Sequence, residues 1–312
     1  MKPKMLLNVV LLIVLTALVG VAFFEPGKEE ATVIYLTDVD VDALTRFELK
    51  NEESLEFEKR DGHWWLTKPF QAPANDIRVR QLLQVAKAES QAHYPVKPEE
   101  LAKFELDKPK AILTISRVTL RFGGSEPIDM LRYVQIGDTL HLVTDDFSHH
   151  LLAKATDYVD KKLLPEDAKL NELSLPGLNA KVGDKGLWNL NPAGDASAMS
   201  ELAIAWQSAR AIEVKRHPEP VSGDKIRLGL ANGPTVEFVI LQREPDLLIV
   251  RPDWQLEYMV AGEAGKRLLG LQKPAAETEG EQEEEESESP PTGSAEEQMD
   301  NDAGEDVERD GD

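Results

Sequence analysis

The chain has no cysteine among its 312 residues. Disulfides, thiolate metal sites, cysteine nucleophiles and lipoprotein-type acylation are therefore excluded. Nucleotide-binding loops are missing too. Gly123-Gly124 and Gly137-Asp138 fall between strand-like runs, not at a strand-to-helix junction where a phosphate cradle would form. No Gly-x-Ser-x-Gly elbow occurs. Nor can a basic surface be picked out in a chain of net charge −22, so nucleic acid is not an expected partner.

That net charge is unevenly spread. Residues 276–312 carry 17 acidic side chains and one base, Arg309, which leaves −6 for everything before them. The stretch 274–312 is almost free of apolar residues and cannot offset its ordering entropy, so a disordered acidic tail is expected there. Within it, Asp300 to Asp306 resembles a calcium loop but has Gly304 at a ligand position.

At the other end, Met5 to Phe24 is uncharged and apolar apart from Asn8. Twenty helical residues span roughly 30 Å, the thickness of a bilayer's hydrocarbon core. The expectation is a transmembrane helix, with residues 1–24 as an anchor that meets the lipid bilayer through residues 5–24. Lys2 and Lys4 precede it, which places the N-terminus in the cytoplasm and the body in the periplasm of a bacterial inner membrane. A cleaved signal peptide ending at Gly20-Val21-Ala22 is the alternative, disfavoured by the length of the apolar run.

Past a short linker at 25–30, strand signals dominate. Leu55-Glu56-Phe57-Glu58 alternates with period two, Asp61-Gly62 is a hairpin turn, and Trp64-Trp65-Leu66 returns. Asn75 or Asp76 would cap a helix with apolar positions at Ile77, Val79, Leu82, Leu83, Val85 and Ala86. Strands follow over 112–115, 118–122, 133–136 and 140–143, with a turn at Gly123-Gly124 and a helix from Phe147 to Leu164. The order then repeats. Trp64 and Trp188 are 124 apart, as are Leu66 and Leu190, and Pro69 and Pro192 are 123 apart. A helix over Ser197–Ser208, strands over 212–214, 226–228, 236–239 and 247–250, and Asp253-Trp254 set against Asp146-Phe147 continue the parallel. The expected fold is α+β: two duplicated units of antiparallel sheet with covering helices, at 31–165 and 166–273.

Chemistry is harder to find. His149 and His150 would lie about 100° apart on a helix and could not converge on one metal. A polar helix start capped by Asp145 or Asp146 is the simpler reading. No catalytic, cofactor or metal residue is assigned, and a non-enzymatic protein is expected. Of the five tryptophans, Trp188 and Trp206 look like core residues, while an exposed Trp65 or Trp254 would suit stacking on sugar rings.

An N-terminal anchor, Gly62-x-Trp64-x-Leu66-x-x-Pro69, a helix, and Phe104-Glu105-Leu106-Asp107-Lys108-Pro109 ahead of strands ending in Ile136-Gly137-Asp138 together resemble a bacterial family of unknown function. The likeness covers roughly Ala31 to Leu271. Its members are membrane-anchored periplasmic proteins, often encoded beside gliding-motility-type ABC transporter components. The family usually has Gly before Leu-Asp-x-Pro, where this chain has Glu105. The resemblance implies an accessory subunit of an ABC-type transporter or envelope complex. Two other classes stay open: a module binding cell-envelope polysaccharide, and an envelope hydrolase for which Asp61, Asp146 and His149 would be the acid–base candidates. Partner identity and oligomeric state are left open.

Overall fold

The computed structural model describes residues 3–23, with side chains from 5 to 20, and residues 33–270. The linker expected at 25–30 and the tail expected at 274–312 lie outside the described residues. Met1–Gln272 forms one compact unit and Lys273–Asp312 a second.

Helix α1 runs Pro3–Phe23, and its apolar side chains from Met5 to Val19 are exposed. Among the described residues no helix is long and apolar enough to cross a membrane. The transmembrane anchor is corrected on that finding. With it go the bilayer contact through residues 5–24, the inner-membrane, periplasmic placement, and the ABC transporter accessory role that stood on the anchor.

The body is α+β, built from two large antiparallel sheets and their helices. The first sheet takes β1 Arg46–Lys50, β2 Ser54–Arg60, β3 His63–Lys68, β4 Ala72–Pro73, β5 Ser90–Pro95, β6 Ala111–Ile115, β7 Val118–Ser125, β8 Arg132–Ile136 and β9 Thr139–Val143. Helix α2, Asp76–Gln84, lies between β4 and β5, and α3, Ser148–Leu151, follows β9. The second sheet takes β10 Leu170–Leu175, β11 Leu178–Val182, β12 Trp188–Asn191, β13 Glu213–Arg216, β14 Lys225–Leu230, β15 Val236–Gln242, β16 Leu247–Arg251 and β17 Leu256–Val260. Helix α4, Ala196–Ser208, lies between β12 and β13, and α5, Gly262–Leu268, follows β17. Spatial order is β4-β3-β2-β1-β6-β7-β8-β9-β5 in one sheet and β12-β11-β10-β14-β15-β16-β17-β13 in the other. Apart from β4, the two orders are the same element for element.

Local chemistry explains each repeat. Asn75 accepts hydrogen bonds from the N–H groups of Ile77 and Arg78 and so starts α2; Asp195 accepts from Ser197 N–H and starts α4. Counted from these caps, Val79, Leu82, Leu83 and Ala86 stand where Met199, Leu202, Ala203 and Trp206 stand, and all eight are buried. This spacing of four, seven, eight and eleven is one helix face laid on a sheet. Beneath α2, Phe47 stacks on Phe57 at 4.5 Å and Tyr158 meets Phe57 edge-on at 5.2 Å. Beneath α4, Trp206 lies over Phe238 at 6.1 Å. Both sheets feed a single apolar core, in which each fully buried Leu or Phe contributes about 1.5–3 kcal/mol.

Four local expectations are corrected. Gly123 and Gly124 are inside β7, not in a turn, because the chain at 104–106 passes too close for a side chain at Gly123. The helix expected from Phe147 to Leu164 is only the four residues of α3 followed by a short turn, Ala155–Tyr158. Beyond that turn the chain is extended: Ala74 pairs with Val159, and Lys162 with Arg210. Asp253-Trp254 sits in the β16–β17 turn, so its counterpart is Gly137-Asp138, not Asp146-Phe147. Ile77, expected on the buried side of α2, is exposed.

The extended stretch joins the repeats. Asn75 N–H donates to Tyr158 O at 2.7 Å and Asp160 N–H to Pro73 O at 2.9 Å. On the other side Leu163 N–H donates to Ala209 O at 3.2 Å, and Ala211 N–H to Lys161 O at 2.8 Å. One strap thus hydrogen-bonds to both repeats.

Candidate functional site

Strand β2 alternates Leu55, Phe57, Lys59 on its inward side, so a lysine occupies a phase that is otherwise buried and apolar. Its cross-strand partner is Trp64, and the ammonium lies 5.7 Å from that ring's centroid. Here the sheet, the first turns of α2 and the segment at 41–42 leave a cleft of about 100 Å³ lined by Val41, Asp42, Lys59, Gly62, Trp64, Asp76, Arg80 and Leu83. Val41, Trp64 and Leu83 are buried and form an apolar floor, while Asp42, Gly62 and Arg80 are exposed at the rim.

The four charges of this cleft are not equivalent. Asp76 is committed: one carboxylate oxygen accepts Trp64 N–H at 2.8 Å and the other lies 2.8 Å from His63 Nδ1. That hydrogen bond and the carboxylate's charge raise the His63 pKa above its ordinary 6.5, and Glu166 and Asp167 push the same way more weakly. Lys59 and Arg80 make no ion pair among the described residues. A wider hollow of about 320 Å³ near Leu44 and Thr114 offers a contrast. Its arginine, Arg46, is already held by Glu56 at 3.0 Å and Glu48 at 3.7 Å.

The second repeat shows what the fold itself requires at this place. If Trp64 corresponds to Trp188, the cross-strand partner Lys59 corresponds to Val182. Counting from the helix caps, Asp76 corresponds to Ala196 and Arg80 to Ser200. The buried positions of the two repeats agree, and the charged positions of the cleft do not.

Sequence reasoning missed Lys59 and Arg80. A lysine in the apolar phase of an alternating strand was the available signal. The residues it did raise for hydrolysis are not brought together. Asp61 occupies a left-handed turn position, φ 50°, at the β2–β3 tip. Asp146 and His149 lie after β9, and no hydrogen bond or ion pair joins them to Asp61 among the described residues. The rings of His149 and His150 are 3.9 Å apart. Asp145, not Asp146, serves the start of α3: it accepts Ser148 N–H at 3.2 Å and the Ser148 hydroxyl at 2.6 Å, and holds Arg132 Nε at 2.9 Å.

The tryptophans also depart from expectation. Trp64 and Trp206 are buried, and Trp188 is only partly so. Trp65 and Trp254 are half-buried and meet edge to face at 6.2 Å across the two repeats. Arg60 covers the Trp65 ring at 5.3 Å and Arg251 the Trp254 ring at 3.2 Å. A guanidinium group covers one face of each ring, so neither stands fully open for the sugar stacking expected of it.

Residues 64–222 match the model of a domain of unknown function, DUF4340. The chain belongs to the DUF4340 family. The matched region opens at Trp64 in the floor of the cleft, takes in α2 and the strap, and ends between β13 and β14 of the second repeat. No curated protein and no solved structure matches the chain. The DUF4340 assignment thus brings with it no activity, partner or compartment.

Proposed function

We propose that this DUF4340 chain is a binding module, not an enzyme, that holds a compact carboxylate-bearing ligand in the cleft beside Trp64. The observation that carries this reading is the difference between the repeats: Lys59, Asp76 and Arg80 line the cleft where Val182, Ala196 and Ser200 stand in the other copy. A fold that forms without those charges in one half does not need them for folding in the other.

The chemistry follows from the geometry. A cleft of about 100 Å³ has the volume of about three water molecules in the liquid, enough for an acid group and its nearest carbons. Lys59 and Arg80 supply two cations for the carboxylate, and the apolar floor takes the adjoining carbons. Asp42 on the rim opposes a doubly charged anion and favours a single carboxylate or a zwitterion with an ammonium group. The test is calorimetric titration of acetate, glycine and inorganic phosphate into the wild type and a Lys59→Met, Arg80→Ser variant. Binding of acetate or glycine that the double variant loses supports the reading. Equal heats from both proteins, or no binding by the wild type, would overturn it.

A further inference from the structure

The two repeats differ again at one sheet edge, independently of the cleft. In the first, β4 lies along β3, pairing Pro73 with Trp65 and Ala72 with Leu66, and Ala74 N–H donates to the Trp64 carbonyl at 2.8 Å. In the second, β12 is the last strand and nothing pairs with its outer side among the described residues. The cause is a shorter connection. Five residues, 70–74, separate Pro69 from the α2 cap Asn75, but only Ala193 and Gly194 separate Pro192 from the α4 cap Asp195. The second repeat lacks the residues from which a covering strand could be made.

The register of β11 and β12 fixes which groups this leaves exposed. Gly183 N–H donates to Leu187 O at 2.9 Å, so the hydrogen-bonded pairs between β11 and β12 alternate from there. Lys181–Asn189 is such a pair, while Val182–Trp188 and Ala180–Leu190 are not. Trp188 and Leu190 therefore direct their N–H and C=O groups outward, just as Trp64 does in the first repeat.

We propose that β12 pairs antiparallel with β12 of a second copy of this chain. An edge strand is ordinarily guarded by charge or by cover. The opposite edge of the same sheet, β13, carries Glu213, Lys215 and Arg216, whereas β12 reads Trp-Asn-Leu-Asn and carries no charge. Two uncharged strands do not repel, and a two-fold axis at Asn189 sets Trp188 of each copy against Leu190 of the other with all four outward groups satisfied. The exposed side chain of Leu187 flanks this edge and supplies apolar area beside it.

With the axis at Asn189, the two Asn189 side chains face each other directly, at a separation where charges are felt. The experiment measures amide hydrogen exchange at Trp188 and Leu190 in the intact chain over a range of concentrations, beside sedimentation of the same samples. Exchange at both amides should slow at least about tenfold as the second copy binds, and Asn189→Lys should abolish the slowing. Mixing Asn189→Lys with Asn189→Glu chains should restore it, which a misfolded variant could not do. Exchange independent of concentration, or Asn189→Lys pairing as well as the wild type, would overturn the proposal. So would protection that arises only on adding a peptide copying Phe70–Ala74, since the edge would then select a β4-like strand and not β12.

Discussion

Trp64 and Trp188 occupy the same place in the two repeats, yet among the described residues only the Trp64 carbonyl is capped, by Ala74 N–H at 2.8 Å. The same pair bounds the cleft: Lys59 is opposite Trp64, and Val182 is opposite Trp188. A duplicated fold thus serves as its own control. Positions that agree are those the core demands, and positions that differ are free to do something else.

Lys59 is where this can be tested without knowing a ligand. A lysine in an inward strand phase forgoes the packing that a β-branched residue would give. Replacing it by the residue of the other repeat, Lys59→Val, is expected to stabilise the chain by up to about 1 kcal/mol while removing carboxylate binding. Urea unfolding of the two proteins checks this. A loss of stability would mean that Lys59 is structural and that the repeats do not compare as described.

The ion pair between Arg132 and Asp145 is of a different kind. Both side chains are mostly buried, and Arg132 also donates to Gly123 O at 2.8 Å. Burial pushes the Asp145 pKa up, but hydrogen bonds from Ser148 and Arg132 outweigh it and hold the carboxyl below its ordinary 3.8. Asp145→Asn leaves the guanidinium buried without its charge partner and should cost about 3–5 kcal/mol. Because the folded pKa is depressed, the stabilisation is complete above 3.8 and is lost as pH falls through the lower folded value. Denaturant midpoints of wild type and variant should therefore differ at neutral pH and draw together as pH falls below 3.8.

Glu105 shows how a sequence comparison and a backbone angle meet. The residue ends the turn Pro98–Phe104 in a left-handed conformation, φ 56°. Glycine adopts that conformation without the Cβ penalty, which gives a physical reason for Gly at this point of the motif. Glu105→Gly is expected to raise stability by about 0.5–1 kcal/mol. The exposed contact to Lys110 at 3.2 Å is worth little in return. A lower melting temperature in the variant would show that the Glu105 side chain contributes more than its backbone costs.

Much of the repeat was legible because its signals are local. Alternation marked β2 and β3, and side-chain caps marked α2 and α4. What failed were the places where distant chain decides. Gly123-Gly124 reads as a turn, but Leu106 and the Phe104 carbonyl require glycine inside a strand. The residues after α3 have helical spacing, yet their backbone groups bond to Pro73 and Ala209 in two other segments. β17 was overlooked, and that moved Trp254 one element out of register. The cleft was illegible for a related reason: Lys59 and Arg80 are 21 residues apart on different elements, and only the fold brings them to one wall.

Two histidines give the pH dependence of stability opposite limbs. His63, bound to Asp76, has its pKa raised above 6.5, so its stabilisation is complete below 6.5 and is lost as pH rises through the folded value. His141 is buried on β9 beside Ser90, 3.0 Å from Nδ1 to the hydroxyl, and burial, with His93 adding a smaller effect, lowers its pKa. The unfolded chain then takes up a proton that the fold resists, and stability falls as pH drops below 6.5 toward the folded value. The two groups thus tilt stability in opposite directions on either side of 6.5, and His150, whose pKa burial also lowers, adds to the acid limb. His63→Ala should flatten the alkaline limb and leave the acid limb alone, and His141→Gln should make the acid limb shallower and leave the alkaline limb alone. Melting temperatures of the three proteins across pH 5–9 separate these outcomes. If His63→Ala flattened the acid limb instead, the Asp76 contact would not be what holds the His63 proton.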